Sequence, residues 1–199
     1  MQRIHDVIRA IEPHDSIERY TGLGVEVLQG HAKLTSPWTV DIALSGGGTQ
    51  TLSARSIVIA AGARPFVPPL PGLEDSGYVT SDTMWETFAE RDELPRRLVV
   101  LGGGPIGCEL AQAFARLGSQ VTQVEMAPRL MGREDDDVST FARQALEADG
   151  VRVLTGHKAL RCEQDGEGKW LVVQADGTEL RLPFDELLCA VGRSARLKG

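Results

Sequence analysis

The chain has 199 residues, 42% apolar, 25% charged and 5% aromatic, with a formal net charge of −7 and a pI near 5.1. That composition is globular and acidic, which argues against nucleic acid or an anionic membrane as partner, and no apolar run approaches the ~20 residues of a membrane span. MQRIHDVIRA contains no hydrophobic leader, and Cys108, Cys162 and Cys189 are spaced as reduced, buried thiols rather than a disulfide or zinc framework, so a cytoplasmic chain is expected.

In chain order, Ile4, Val7, Ile8 and Ile11 share one face of a first helix, which Pro13 breaks. Asp15 or Ser16 is placed to cap a further turn. Strands are expected at Val25–Leu28, Thr39–Leu44, Thr51–Ala54 and Ser56–Ala60, with Ser45–Gly48 as a hairpin loop. Ile57, Val58 and Ile59 read as a strand buried on both faces. Residues 63–77, rich in Pro and Gly, read as an irregular connector, followed by a short helix from Ser81 or Asp82 to Phe88.

From Leu98 the pattern becomes strand (Leu98–Leu101), helix (Pro105–Leu117), strand (Val121–Glu125), helix (Asp137–Ala148) and strand (Val151–Leu154). That order predicts a doubly wound parallel sheet. The expected core-facing stripes are Ile106, Leu110, Ala113, Phe114 and Leu117, then Val138, Phe141, Ala142, Ala145 and Leu146. Leu160–Glu163, Trp170–Gln174 and Glu179–Leu182 read as a three-stranded antiparallel meander, with turns at Asp165–Gly166 and Asp176–Gly177. A last buried strand is expected at Leu187–Ala190.

Residues 24–34 and 150–160 are identical at seven of eleven positions, and each is followed by a meander and a buried strand ending in glycine, Ile57–Gly62 and Leu187–Gly192. Two matches in one order argue for a duplicated domain, present here as a partial first copy and a nearly whole second one. The first copy has no counterpart of Leu98–Glu125, so the expectation is a chain truncated at its N-terminus. His31 and His157 fall at equivalent repeat positions and read as structural. His5 and His14 read as solvated, Trp38, Trp85 and Trp170 as packing residues, and Cys108 as a helix-face thiol.

Gly102-Gly103-Gly104-Pro105-Ile106-Gly107 is a GxGxxG sequence that follows a strand, opens a helix and precedes the acidic Glu125 at the end of the next strand. Gly102 allows the tight turn, Gly104 lets a pyrophosphate approach the backbone, and Gly107 lets helix and strand pack closely. The helix N-terminus adds free N–H groups and positive potential. Glu125 is placed to accept from the adenosine ribose hydroxyls and to repel a 2′-phosphate, which favours NAD(H) over NADP(H).

Ile59-Ala-Ala-Gly-Ala-Arg-Pro65, the proline-rich link, Gly102-Gly-Gly-Pro-Ile-Gly-Cys-Glu109, Leu117-Gly-Ser119 and Ala190-Val-Gly-Arg193 together resemble the pyridine nucleotide-disulfide oxidoreductases, in the branch holding dihydrolipoamide dehydrogenase and mercuric reductase. The resemblance implies a Rossmann-like FAD/NAD(P)-binding fold. Residues 1–66 would be the C-terminal part of an FAD-binding domain, 67–96 a linker, 97–193 an NAD-binding domain and 194–199 the start of a return segment. It implies NAD contacts at Gly102, Gly103, Gly104, Pro105, Ile106, Gly107, Glu109, Glu125, Ala159 and Gly192, and FAD contacts at Ala32, Ala60, Ala61 and Gly62. Members usually carry Thr where Ala61 stands, an aromatic gate where Pro105 stands, and Pro-Asn where Ala195-Arg196 follows the Val-Gly-Arg signature. The redox cysteine pair, the first FAD loop and the C-terminal interface domain of the family have no counterpart in the sequence. The implied parent is a homodimeric flavoprotein passing hydride between NADH and FAD, and electrons to or from a disulfide-type or metal acceptor. A free-standing NAD-binding or redox-sensing module is the alternative.

Overall fold

The computed structural model describes residues 2–196. Two units emerge: one holds the residues up to Ala63 with those from Ala195 on, the other runs from Arg64 to Ser194.

In the first unit, α1 (Gln2–Ile11) gives way to a 3-10 turn at Glu12–Asp15, where Pro13 interrupts the helical hydrogen bonding. Ser16 then caps α2 (Ile17–Gly22), its Oγ accepting from the Arg19 N–H at 3.2 Å. The apolar face of α1 forms as its spacing predicts, yet Val7, Ile8 and Ile11 are about half exposed. Strands β1 (Gly30–Ser36), β2 (Thr39–Leu44) and β3 (Thr49–Ser53) make an antiparallel meander, with Gly30 opposite Leu44 and Thr39 opposite Ser53. Gly47 and Gly48 supply the left-handed backbone of the β2–β3 loop.

Two strands expected in this unit are absent. Val25–Leu28 is irregular, and so is Ser56–Ala60, where Val58 is 88% exposed rather than buried on both faces. A parallel strand holds its shape only with a neighbour on its ladder, and among the described residues none pairs with either segment. The first copy of the repeat therefore shows its meander without its parallel sheet.

The chain crosses between the units at β4 (Ala63–Pro65) and returns at β13 (Arg193–Ala195), and these two strands pair. The second unit contains α3 (Leu73–Ser76), β5 (Val79–Thr80), α4 (Met84–Ala89), β6 (Arg97–Leu101), α5 (Pro105–Arg116), β7 (Gln120–Val124), α6 (Asp136–Ala148), β8 (Arg152–Leu154), β9 (Lys158–Asp165), β10 (Gly168–Ala175), β11 (Thr178–Phe184) and β12 (Glu186–Cys189). Five strands pair in parallel in the order β5-β12-β6-β7-β8. The β9–β11 meander turns at Asp176 and Gly177, both with positive φ.

The segment expected as an irregular connector is an integral part of this unit. Within 63–77, Leu73 is 1% exposed and the Cys162 N–H donates to the Pro71 carbonyl at 2.8 Å; beyond it, β5 pairs with β12 and Met84, in the expected short helix, is 1% exposed. Val99, Leu101, Leu187 and Cys189 from one face of the parallel sheet join Cys162, Leu171, Val173, Leu182 and Phe184 from the meander in one core cluster, closed by Leu73.

Both predicted helix stripes are met in part: Phe114 and Leu146 are buried, and Ile106, Leu110, Ala142 and Ala145 are half-buried. In α5 the buried residues are Gly107, Ala111 and Phe114, while Leu117 is 66% exposed. In α6 they are Ser139 and Leu146, while Phe141 is 73% exposed. Gly107, Ala111 and Ser139 add small residues to these buried faces, and Ser139 is accommodated by donating its hydroxyl to the Leu130 carbonyl at 2.7 Å.

Candidate functional site

The parallel sheet has a topological switch. From β6 the chain winds through β7 to β8 on one side, and β12 lies on the other. In open α/β sheets the ligand crevice lies at the carboxyl ends of the strands at such a point. The segments there are Gly102–Gly107 after β6 and Ala190–Gly192 after β12.

The two segments touch. Gly102 has φ +116°, and a Cβ on it would lie 2.3 Å from the Ala190 carbonyl oxygen. A Cβ on Gly107 would lie 2.3 Å from the Gly102 oxygen, so α5 packs onto the turn that introduces it. Gly103 is closed in by Leu130 and Glu125. Gly104 is different: nothing lies within 4 Å of where its Cβ would be, and its φ of −79° strains no residue. Three glycines are thus required by protein packing, whereas Gly104 faces open space at the N-cap of α5. Pro105 takes the first helical position, where its missing N–H costs nothing, and the N–H groups of the first turn have no partner inside the helix.

Glu125 stands where β7 ends. Its Oε2 accepts from the Gly103 N–H at 2.6 Å and its Oε1 from the Ala127 N–H at 2.6 Å. The carboxylate is therefore fixed beside the glycine loop, and each oxygen keeps a lone pair for a further donor. The loops beyond β7 and β8 interlock: the Gly156 N–H donates to the Ala127 carbonyl and the His157 N–H to the Glu125 carbonyl, at 2.8 and 3.0 Å. His157 Nδ1 lies 2.7 Å from the Thr155 carbonyl, the structural role its repeat position suggests. Arg129, the nearest cation in sequence to Glu125, forms an ion pair with Asp136 and donates to the Gly132 carbonyl.

Pro105 and Glu109 are exposed on α5, and Ile106 is half-buried. Gly192 is exposed with φ +141°, its carbonyl accepting from the Phe66 N–H at 2.9 Å. Ala159 is half-buried against the core cluster. In the first unit Ala32 lies exposed on β1, and Ala60, Ala61 and Gly62 form an exposed, irregular stretch. A cleft of about 410 Å³ in that unit, lined by Trp38, Ser53, Ala54 and Arg55, holds no acid–base or nucleophile pair.

Sequence reasoning passed over Gln123. It is fully buried in β7, donates from Nε2 to the Gly102 carbonyl at 3.0 Å, and meets Cys108 Sγ at 3.5 Å. The available signal was a polar residue in the interior of a strand that should read as apolar. Burial pushes the Cys108 thiol above its ordinary range, and Gln123 only partly offsets that. Among the described residues no group of His, Cys, Asp and Glu is placed to hold a metal ion, and no helix is long and apolar enough to cross a membrane.

Residues 4–199 match the family described as pyridine nucleotide-disulphide oxidoreductase. The chain belongs to that family. Among its relatives, the mercuric reductase of Bacillus cereus is 35% identical over 88% of this chain and 27% of its own length. The dihydrolipoyl dehydrogenase of Pseudomonas aeruginosa is 36% identical over 98% of this chain and 42% of its own. The chain thus spans less than half the length of these oxidoreductases. Among solved structures, the HOCl-induced flavoprotein disulfide reductase RclA from Escherichia coli superposes with a TM-score of 0.75 at 27% identity, over 98% of this chain and 42% of that one. The water-forming NADH oxidase of Lactobacillus brevis, solved bound to NADH, shares the fold with a TM-score of 0.61 at 24% identity, over 82% of this chain and 37% of that one.

Proposed function

We propose that this chain supplies the NAD(H) site of a pyridine nucleotide-disulphide oxidoreductase whose whole form also binds FAD. The observation that carries the reading is the contrast within the glycine loop. Gly102, Gly103 and Gly107 are explained by neighbouring protein atoms, while no protein atom lies within 4 Å of where a Cβ of Gly104 would be, at a helix N-terminus. That is the place where a pyrophosphate needs backbone without a side chain.

In this reading Gly102–Gly107 cradle the pyrophosphate, and Glu125 accepts from the ribose hydroxyls of the adenosine half. Ala159, Glu109 and Gly192 line the remaining path. A 2′-phosphate would meet the Glu125 carboxylate, which the Gly103 and Ala127 N–H groups hold in place. NAD(H) is therefore preferred over NADP(H). A bound nicotinamide supplies the hydride; the chain's residues bind and orient the dinucleotide.

For FAD, the described residues offer Ala32 and Ala60–Gly62, all exposed, and these do not enclose a group by themselves. Their assignment rests on the repeat and on the family, as does the proposal of a cytoplasmic homodimer passing electrons to or from a disulfide-type or metal acceptor. The test is a fluorescence titration of the chain with NADH and with NADPH. Saturable, one-to-one binding with NADH the tighter ligand is expected. Binding of neither, or NADPH the tighter, overturns the reading.

A further inference from the structure

β7 is covered on both faces, and a strand so placed ordinarily carries apolar side chains throughout. Gln123 breaks that pattern with no exposed surface at all, and its Oε1 has no hydrogen-bond partner. A buried amide with an unmet acceptor is a liability to folding when an apolar side chain of similar size would fit. Its presence calls for a gain elsewhere.

That gain lies in the glycine loop. The Gly102 carbonyl oxygen and the Gly103 N–H belong to a single planar peptide unit. Gln123 Nε2 donates to the first at 3.0 Å, and Glu125 Oε2 accepts from the second at 2.6 Å. The Gly102 oxygen can only accept, so the amide nitrogen must face it, and this orientation leaves Oε1 alone. Residues 123 and 125 are two apart along an extended chain, so their side chains leave the same side of it. The preceding Gly102 N–H is tied to the Val124 carbonyl at 2.8 Å. One peptide is thus held at both ends by two side chains and at its N-terminal neighbour by the strand backbone between them. Gly102 needs this restraint, since a glycine at φ +116° has little intrinsic preference for one orientation over its neighbours.

We propose that Gln123 is a positioning residue for the dinucleotide: with Glu125 it clamps the Gly102–Gly103 peptide and so aims the N–H groups of the following turn at the pyrophosphate. The inference rests on the reading that this loop receives NAD(H). Gln123 itself touches no ligand. Gly107 packs against the same amide, with its Cβ position 3.2 Å from Nε2, so the brace also sets how closely α5 approaches.

The test compares the whole chain with its Gln123→Met variant, which keeps the volume and removes the donor together with the orphan acceptor. Melting temperature, NADH affinity and amide exchange at Gly103 are measured on both. The variant should melt close to the parent, bind NADH about tenfold more weakly, and exchange the Gly103 N–H faster. An affinity within about twofold of the parent with unchanged exchange overturns the clamp. A lower melting temperature with unchanged NADH affinity overturns it as well, because a packing role alone gives that result. Should that variant fail to fold, Gln123→Asn decides, since it keeps the amide and shortens its reach to the Gly102 carbonyl: weaker NADH binding with faster Gly103 exchange than in the parent supports the clamp, and parent-like values of both refute it. If the parent fails to bind NADH, the proposed function falls, while the difference in Gly103 exchange between parent and variant still judges the clamp.

Discussion

Replacing Gly102 and Gly104 separately by alanine sets protein packing against ligand approach at two positions of one loop. At Gly102 the new Cβ would fall 2.3 Å from the Ala190 oxygen, 2.6 Å from its carbonyl carbon and 3.0 Å from the Val191 nitrogen, all backbone atoms, at φ +116°. The conformational strain and the forced backbone shift together cost about 3 kcal/mol, which lowers the melting temperature of a chain this size by roughly 6–12 °C. At Gly104 the same methyl group meets nothing within 4 Å and the backbone already suits alanine. Loss of glycine as the N-cap residue and reduced freedom of the unfolded chain nearly cancel, leaving stability within about 1 kcal/mol of the parent. A pyrophosphate that rests on Gly104 would then be lifted, weakening NADH binding at least about tenfold, or 1.4 kcal/mol. Thermal unfolding and NADH fluorescence titration on both variants read the two effects independently. A Gly104→Ala chain that binds NADH like the parent would refute the assignment of the open space to phosphate. One that melts as low as Gly102→Ala would refute the space itself.

Leu146→Ala, in the buried stripe of α6, should cost about 2–5 kcal/mol in denaturant titration, whereas Phe141→Ser at an exposed position of the same helix should stay within about 0.5 kcal/mol. Asp165 is held down to about 2, chiefly by the Arg181 guanidinium, then by the Glu167 N–H and the Trp170 indole. A depressed carboxylate contributes stability that is present above its ordinary value of about 4 and lost as pH falls through the folded one. The melting-temperature gap between the parent and Asp165→Asn should therefore be constant at neutral pH and close between about pH 4 and pH 2; a gap that persists at pH 2 would exclude this carboxylate as its source. Burial pushes the Cys162 thiol up to about 11 and the Cys189 thiol up to about 12. Thiol titration at pH 8 should find both silent until denaturant is added, with half-buried Cys108 reacting first.

Local signals carried most of the second unit. The strand–helix–strand alternation from Leu98 to Leu154, both helix termini at glycine, and the Asp176–Gly177 turn all lie in nearest-neighbour chemistry, and the structure places them within a residue or two. What was not legible depends on partners distant in sequence. Ser56–Ala60 has the residues of a buried strand and no ladder to join. Leu117 and Phe141 match a helical stripe by spacing, yet they are exposed, while Phe114 and Leu146 of the same stripes are buried beside the small residues Gly107, Ala111 and Ser139. The stretch 63–77 looked irregular because its prolines deny it regular hydrogen bonding, yet Leu73 anchors it in the core through contacts no local pattern reveals. At the site, the glycine spacing and Glu125 could be read directly. Gln123 became meaningful only once the Gly102 carbonyl was seen above it.

The strand order β5-β12-β6 has a consequence for how the chain is made. The strand seated between β5 and β6 is the last of the five to be synthesised, and Leu101 and Cys189, paired in the finished sheet, are 88 residues apart. At translation speeds of about 5–20 residues per second, β6 has one edge open for roughly 4–18 s before β12 can leave the ribosome. During that interval Val99 and Val100 offer a free hydrogen-bonding row to any extended segment nearby. Yield at high expression rates should then be limited by association of nascent chains, and slower elongation between Leu101 and Glu186 should worsen it, whereas a chaperone that shields strand edges should relieve it.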